Sequence, residues 1–299
     1  MAPWIFLSVL SAIFLGLYDV AKKTALKGNA VPPVLMVSTV TASVVWLPLI
    51  ILSRHLPHAV PHPMLTVESL SWLEHGMLFF KSALAGTSWI FAFFALKHLP
   101  LSIASPIRAT SPIWTIWVAT LWMGESPSAN QWLGIVIILS AFYAFSLVGL
   151  KEGIRFSRDR WVGCMMIATV LGALSALYDK HLLQRAGFSP ATTQAWFSIY
   201  LVVVMAPLTL HWYTRMRRET PFHWRWQIPL IGITLLVADF LYFSAIAYPD
   251  ALIAVISPVR RSSILIAFAT GIVFLKETNG RPKAICVTSL LVGVYILSW

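Results

Sequence analysis

The sequence predicts an all-α integral membrane protein with ten transmembrane helices arranged as two inverted five-helix repeats. Composition is the first reason: 58% of the 299 residues are hydrophobic and 11% are charged, less than half the charged share of a soluble protein. Apolar runs long enough to cross a bilayer are the second reason, because they recur along the whole chain. The third is a set of short motifs that occur twice in the same order. These observations exclude a soluble globular domain.

Charges, prolines and polar clusters divide the chain into ten predicted spans. They cover residues 3–22, 32–53, 74–96, 99–123, 131–149, 161–183, 190–213, 226–247, 251–275 and 282–298. The polar segment 149–160 separates the two predicted repeats, residues 1–150 and residues 151–299. The first span has no positively charged segment before it, so we expect a membrane span there and not a cleaved signal.

Three motifs mark the predicted repeat, each with a second copy later in the chain. They are LYD at 17–19 and 177–179, SPIRATS at 105–111 with SPVRRSS at 257–263, and GE at 124–125 with KE at 276–277. Because each repeat holds an odd number of spans, the second copy enters the membrane from the opposite side. Inverted repeats of this kind are common in secondary transporters.

Ionisable residues fall inside the predicted spans, where each costs about 2.5–3.5 kcal/mol to insert at a helix centre. They are Asp19, Lys81, Arg108, Asp179, Asp239, Arg260 and Arg261. Residues of this kind face the protein interior or a water-filled cavity and are candidates for a functional site. The positive charges outnumber the negative ones by one, so an anionic ligand would balance the set.

The direction of the chain predicts two ion pairs. Asp19, late in the first span, and Arg108, early in the fourth, lie toward the same membrane face. Asp179 and Arg260 have the same relation in the second half, toward the opposite face. We hypothesise that these pairs act as gates that break and re-form as the cavity opens to each side. The alternative is that they are structural pairs that hold helices together.

The two arginine motifs predict a polar patch at the depth of the bilayer centre. By i, i+3 and i+6 spacing, one helical face carries Ser105, Arg108 and Ser111, and another carries Ser257, Arg260 and Ser263. The proline in each motif removes a helical hydrogen bond and leaves a backbone carbonyl free. Arginine offers a planar fork of donors that suits carboxylate or phosphate. We therefore predict that these residues, together with Arg261, bind the substrate.

A lysine and several aromatic residues complete the predicted binding site. Lys81 is a candidate ligand, but we expect it to be an internal counter-ion or a snorkelling residue more readily than a ligand. Trp89 and Tyr242 are candidates to line the cavity, as are Tyr18 and Tyr178, although an aromatic side chain in a span more often serves packing.

The acidic residues are assigned to gating, proton coupling or helix ends. Asp19, Asp179 and Asp239 are the candidates for gating or proton coupling. Asp239 is the best proton carrier of the three because it lies in mid-span, unless an arginine pairs with it. Glu125 and Glu277 are expected to mark helix ends.

Longer stretches of the chain resemble a known family. They are FFALKHLPLSIASP at 93–106, LWMGESPSANQWLG at 121–134, FSAIAYPDALIAVISP at 243–258 and FLKETNGRPKAIC at 274–286. Two five-helix units with these features resemble the EamA-type branch of the drug/metabolite transporter superfamily. The resemblance implies a ten-helix transporter. The adjacent Arg260 and Arg261 also resemble the basic pair on the ninth helix of plastid phosphate translocators in the same superfamily, which favours an organic anion as substrate.

The orientation in the membrane has two conflicting indications. The loops after the odd-numbered predicted spans hold 15 of the 22 lysines and arginines, and the loops after the even-numbered spans hold three. The positive-inside rule then places the odd loops in the cytoplasm and both termini outside. The family resemblance implies the reverse, with both termini inside.

The expected function is secondary active transport of a small organic anion, such as a phosphorylated or carboxylated metabolite, by alternating access. The runner-up is an exporter of amino acids or related zwitterions, and a membrane-embedded lipid-phosphate enzyme is a distant third. We expect no enzymatic activity, no cofactor and no metal. The sequence contains no G-x-x-x-x-G-K-[ST] motif, so a gradient or an exchange must supply the energy.

The expected location is the cell membrane, which would be the inner membrane in a bacterium, as a multi-pass protein. The expected partners are a small-molecule substrate, membrane lipids, and a coupling proton or counter-substrate. We expect a monomer or a homodimer and no nucleic acid, because the net charge of +11 lies in loops that orient the chain.

Overall fold

A computed structural model describes residues 2–99, 107–108, 110–149, 159–263 and 280–297 of the chain. These residues form the α-helices α1 (Pro3–Leu26), α2 (Val31–His55), α3 (Trp72–His98), α4 (Ser111–Trp122), α5 (Ala129–Gly149), α6 (Arg160–Lys180), α7 (Pro190–His211), α8 (Gln227–Ile246), α9 (Ile253–Arg261) and α10 (Gly280–Leu297). Short 3-10 helices, Pro57–Ala59 and Pro63–Leu65, lie between α2 and α3. One π-helical turn extends α6 through Arg185, and another extends α7 through Met216.

Helices long and apolar enough to cross a membrane confirm the predicted class of protein. Among the described residues there are six: α1, α2, α3, α6 with its π-helical turn, α7 with its π-helical turn, and α8. The chain is therefore an all-helical, multi-pass membrane protein in the part that the structure describes. The predicted spans 99–123 and 251–275 lie partly outside that part.

Local sequence explains where several of these helices begin. Proline stands in the first turn of α1, α2, α4 and α7, where its missing N–H costs no helical hydrogen bond. At the start of α3, the Ser71 hydroxyl accepts from the Glu74 backbone N–H, and the Glu74 carboxylate accepts from the Ser71 backbone N–H at 2.6 Å. This reciprocal capping box satisfies two backbone donors at the start of α3.

The first helix is longer than its predicted span. We placed the end of the span at residue 22, but α1 continues to Leu26. Lys22 therefore lies inside the helix and is only 5% exposed. The reason is that Asp19, one helical turn earlier, pairs with Lys22 and makes its burial tolerable.

The helices of the two predicted repeats pack in a reciprocal pattern. The main contacts form three sets of two pairs. The first set is α1 with α8 and α6 with α3, the second is α2 with α8 and α7 with α3, and the third is α1 with α9 and α6 with α4. Exchanging each helix with the one five places along the chain converts the first pair of each set into the second. The pairs α2–α7, α4–α9 and α5–α10 are also in contact, and this exchange leaves them unchanged.

Small residues and serine hydroxyls hold the closest crossings together. A Cβ atom at Gly232 of α8 would lie 2.3 Å from the Ser38 carbonyl oxygen of α2, so glycine is required at that crossing. The Ser11 hydroxyl donates to the Ala238 carbonyl at 2.7 Å between α1 and α8. Because α1, α3, α6 and α8 pack through such contacts, their polar faces enclose a space between them.

Candidate functional site

A central cavity of about 170 Å³ lies between α1, α3, α6 and α8, and Phe197 of α7 and the ends of α4 and α9 complete its wall. Its wall carries polar and aromatic side chains, including Tyr18, Ser88, Trp89 and Thr169. The ionisable groups in the wall are Lys22, Lys81, Arg108, Asp179, Asp239, Arg260 and Arg261. With Asp19, which touches two of them, they form two clusters of different charge.

The first cluster, which we name the cationic cluster, consists of Asp19, Lys22, Arg108 and Arg261. The Asp19 Oδ1 atom lies 2.6 Å from Lys22 Nζ and 3.5 Å from Arg108 Nη1. Arg261 donates from Nη2 to the Ser111 hydroxyl at 3.2 Å and has no carboxylate partner among the described residues. Three cations therefore share one carboxylate, so the cluster carries a surplus of two positive charges.

The second cluster, which we name the neutral cluster, consists of Lys81, Asp179, Asp239 and Arg260. Lys81 Nζ lies 2.6 Å from Asp179 Oδ1 and donates to the Ser175 hydroxyl at 2.6 Å. Arg260 pairs with Asp239 through Nη2 and Oδ1. The Lys81 and Asp179 side chains are only 4% and 3% exposed. Each cation here has its own carboxylate, and the cluster has no net charge.

Aromatic rings support both clusters. Lys22 Nζ lies 4.3 Å from the centroid of the Tyr18 ring. The Arg260 guanidinium carbon lies 3.9 Å from the centroid of the Tyr242 ring. A cation over an aromatic face is attracted by the ring quadrupole, so these rings stabilise cations that are partly removed from water.

The cavity brings together most of the predicted site residues. Its wall contains Arg108, Arg260, Arg261, Ser111, Ser257, Lys81, Trp89, Tyr242, Asp179 and Asp239. Asp19 joins them through its contacts with Lys22 and Arg108. Ser105 lies outside the described residues. The roles of all these side chains in binding, gating or proton coupling stay predictions.

Ser263 departs from the expected helical face. Within the described residues α9 ends at Arg261, and Ser263 lies in the turn that follows. Its side chain is buried but is not among those that line the cavity. The i, i+3, i+6 argument fails here because it assumes that a helix continues through the whole motif.

One of the two predicted ion pairs is confirmed and the other is wrong. Asp19 pairs with Arg108 as expected. Asp179 does not pair with Arg260; it pairs with Lys81 of α3, and Arg260 pairs with Asp239 of α8. The reason is helix packing, since α6 contacts α3 along its length and brings Lys81 to Asp179. Lys81 is thus an internal counter-ion, and Asp239 has the arginine partner that we set against its proton-carrying role.

Two other residues differ from expectation. Lys22, the last residue of the first predicted span, was counted with the loop cations and not with the site residues; it lines the cavity, and its i, i+3 spacing from Asp19 was a signal that it pairs inside the helix. Tyr178, a candidate for the cavity wall, is not part of it and packs with Leu78 and Leu182 instead.

Glu125 was expected only to mark a helix end, but it is buried and binds the start of α9. Its counterpart Glu277 lies outside the described residues. Spacing gave no signal for the bonds of Glu125 to α9, because Ile253 and Ala254 lie more than a hundred residues away along the chain.

Comparison with solved structures identifies the fold. A crystal structure of a protein superimposes on this chain with a TM-score of 0.68 at 16% sequence identity, and the match covers 98% of this chain and 94% of the other. At that identity the likeness establishes a shared fold and nothing about substrate. No protein of curated function matches the chain in sequence.

Comparison with protein families identifies the class. The sequence model of the EamA-like transporter family matches residues 2–147. Members of this family are membrane transporters of small molecules and not enzymes. The resemblance inferred from the sequence motifs is therefore confirmed. Residues 2–147, about half of the chain, match the EamA-like transporter family, which is part of the drug/metabolite transporter superfamily.

Proposed function

We propose that this protein is a secondary active transporter of the cell membrane that moves a small organic anion by alternating access. In this proposal ten spans form two inverted five-helix repeats, residues 1–150 and residues 151–299. The anion occupies the central cavity between the repeats. The energy comes from an ion gradient or from exchange with a counter-substrate.

The reciprocal helix packing supports the two-repeat architecture. When each helix is replaced by the helix five places along the chain, every main helix–helix contact becomes another contact that the structure contains. The family match over residues 2–147 has nearly the same bounds as the proposed first repeat. Inverted repeats place the substrate at the interface between them, and the central cavity is lined by helices of both proposed repeats.

The observation that carries the anion proposal is the surplus charge of the cationic cluster. Leaving a cation unpaired away from water costs several kcal/mol, and a bound anion removes that cost. Arg108 and Arg261 each offer a planar fork of donors, which matches the oxygens of carboxylate and phosphate groups. The cluster therefore favours a substrate with a compact negative group.

The neutral cluster disfavours the zwitterion exporter. An amino acid would need a free carboxylate to receive its ammonium group, and Asp239 is the candidate to supply it under that alternative. In the structure, however, Asp239 is engaged by Arg260 and Asp179 by Lys81. An ammonium group would have to displace a cation that is already buried beside its partner.

The size of the cavity favours a small metabolite. The central cavity has a volume of about 170 Å³ among the described residues. Pockets for drug-sized ligands are larger, at about 300–1,000 Å³. A short organic acid or a small phosphate ester suits the space that the described residues enclose.

A binding screen tests the proposal. Purified protein is heated with phosphorylated metabolites, dicarboxylates and amino acids, and the unfolding temperature is measured for each. We expect anions to raise it. Arg261→Gln should weaken the binding of the best anion about tenfold or more, because a charge-assisted hydrogen bond contributes about 1.5–3 kcal/mol.

Arg218→Gln is the matched control, because Arg218 is an exposed arginine outside the cavity. It should leave the affinity unchanged. Stabilisation by amino acids or neutral amines and not by anions would contradict the proposal, as would equal losses in the two arginine variants.

A further inference from the structure

Glu125 lies outside the cavity in the segment between α4 and α5, yet it is only 7% exposed. Its carboxylate accepts from two consecutive backbone N–H groups: Oε1 from Ile253 and Oε2 from Ala254, both at 2.9 Å. These are the first two residues of α9, whose N-cap residue Leu252 makes no side-chain cap. Glu125 therefore caps α9 from a distant part of the chain, where a negative charge also suits the helix dipole.

Lys180, at the end of α6, completes this arrangement. Its Nζ atom pairs with Glu125 Oε1 and donates to the Ala251 carbonyl at 3.2 Å. One helical turn later, the Gln184 side chain donates to the carbonyls of Ile246 and Tyr248, each at 2.8 Å. The carboxylate thus joins three segments: the connection after α4, the end of α6 and the start of α9.

The position of this junction relates it to the cavity. Lys180 directly follows Asp179, which is part of the cavity wall. At its other end, α9 carries Arg260 and Arg261. Glu125 belongs to the proposed first repeat, whereas Lys180 and α9 belong to the second. The bonds of Glu125 consequently cross between the two repeats at the end of the cavity next to Asp179.

We infer that Glu125 is a gate residue that keeps this end of the cavity closed. This inference rests on the proposed alternating access, in which the two repeats move relative to each other. Bonds that cross between the repeats at one end must break before that end opens. A buried carboxylate held by two N–H groups and a lysine makes charge-assisted bonds, which are roughly twice as strong as neutral ones. Opening at this end requires the carboxylate to leave α9.

Thiol accessibility tests the gate. Cys164 and Cys286 are first replaced by alanine, and Ala176→Cys then places a reporter in the cavity wall, one helical turn before Lys180. A membrane-impermeant thiol reagent is added to one side of sealed vesicles and then to the other. A separate variant carries Ser126→Cys instead, at the exposed residue next to Glu125. The side from which this cysteine is labelled is the side of the membrane on which Glu125 lies. Glu125→Gln should speed labelling from that side about tenfold.

Matched variants separate gating from general loosening. Glu68→Gln removes an exposed carboxylate in the segment between α2 and α3 and should leave the labelling rate unchanged. Lys180→Gln keeps the cap on α9 and should give a smaller rise than Glu125→Gln. If Glu125→Gln does not fold, Lys180→Gln alone tests the gate. Faster labelling from the Glu125 side only would support it, and an unchanged labelling rate would contradict it.

Two outcomes would overturn the inference: labelling at the unmodified rate from the Glu125 side, or an equal rise from both sides. Labelling requires no substrate, so failure of the gate and failure of the anion proposal are distinguishable.

Discussion

The two charged clusters in the cavity contain the same kinds of residue but differ in net charge. In the neutral cluster, two cations and two carboxylates form two pairs, and the residues of the Lys81–Asp179 pair are almost fully buried. In the cationic cluster, Lys22, Arg108 and Arg261 have only Asp19 between them. The first arrangement is complete by itself, whereas the second gains from an added anion.

The difference separates stability from binding. A buried pair contributes little net stability, but removal of one partner leaves an uncompensated charge and is strongly destabilising. A surplus cation has no partner to lose, so its removal changes affinity for an anion more than it changes the fold. The two clusters should therefore respond differently to the same kind of substitution.

The largest expected effect is on stability in the neutral cluster. Asp239→Asn should lower the free energy of unfolding by about 3–5 kcal/mol, because it leaves the partly buried Arg260 without its carboxylate. The double variant Asp239→Asn with Arg260→Met removes both charges and should recover most of that loss. Unfolding in mixed detergent micelles measures the difference.

Arg261→Gln is the matched control in the cationic cluster, since it removes the cation next to Arg260 in sequence. It should change the free energy of unfolding by less than about 1 kcal/mol, because no carboxylate in the described residues loses a partner. The comparison fails if Arg261→Gln destabilises as much as Asp239→Asn, or if the double variant is no more stable than the single one.

A smaller effect is expected for the coupling energy between the two residues of an ion pair. Double-mutant cycles on unfolding should give about 2–3 kcal/mol for Lys81 with Asp179 and about 1 kcal/mol or less for Asp19 with Arg108. The second value is lower because the Asp19–Arg108 distance is 3.5 Å and Asp19 is shared with Lys22. The same cycle on transport rate tests the gate hypothesis for Asp19, and additive losses there would argue against direct pairing.

The smallest expected effect comes from the serine beside each cluster. Ser111→Ala removes the hydroxyl that receives a hydrogen bond from Arg261, and should weaken anion binding about fivefold, equivalent to about 1 kcal/mol. Ser175→Ala removes the corresponding partner of Lys81 and should leave anion affinity unchanged. Titration calorimetry with the best anion measures both. Equal effects would mean that the anion contacts both clusters.

Residue types inside the spans were sufficient to find the wall of the cavity. A charge in an apolar run has to face the protein interior, and this rule located Arg108, Arg260 and Asp239 without any structure. Helical spacing also placed Ser111 on the same side as Arg108. The rule was less successful for Lys22, because a lysine near the end of an apolar run satisfies the pattern of a loop equally well.

Partners could not be found in the same way. Asp179 and Arg260 stand at matching places to Asp19 and Arg108, yet the pairs differ between the halves because Lys81 and Asp239 intervene. Neither residue has a counterpart in the repeated motifs, so the symmetry of the motifs misled the prediction. Glu125 was missed for a related reason, since its bonds to α9 join segments that are distant in sequence.

The sequence by itself determined that this is a helical membrane protein with charges inside its spans, and that residues 2–147 resemble the EamA-like transporter family. Hydropathy, helical period and local motifs belong to the chain, and they keep their meaning before it folds. The tertiary structure alone decided which charges neutralise one another and which are left in surplus. That outcome depends on helix crossings, where a glycine such as Gly232 lets two helices approach and brings distant side chains within bonding distance.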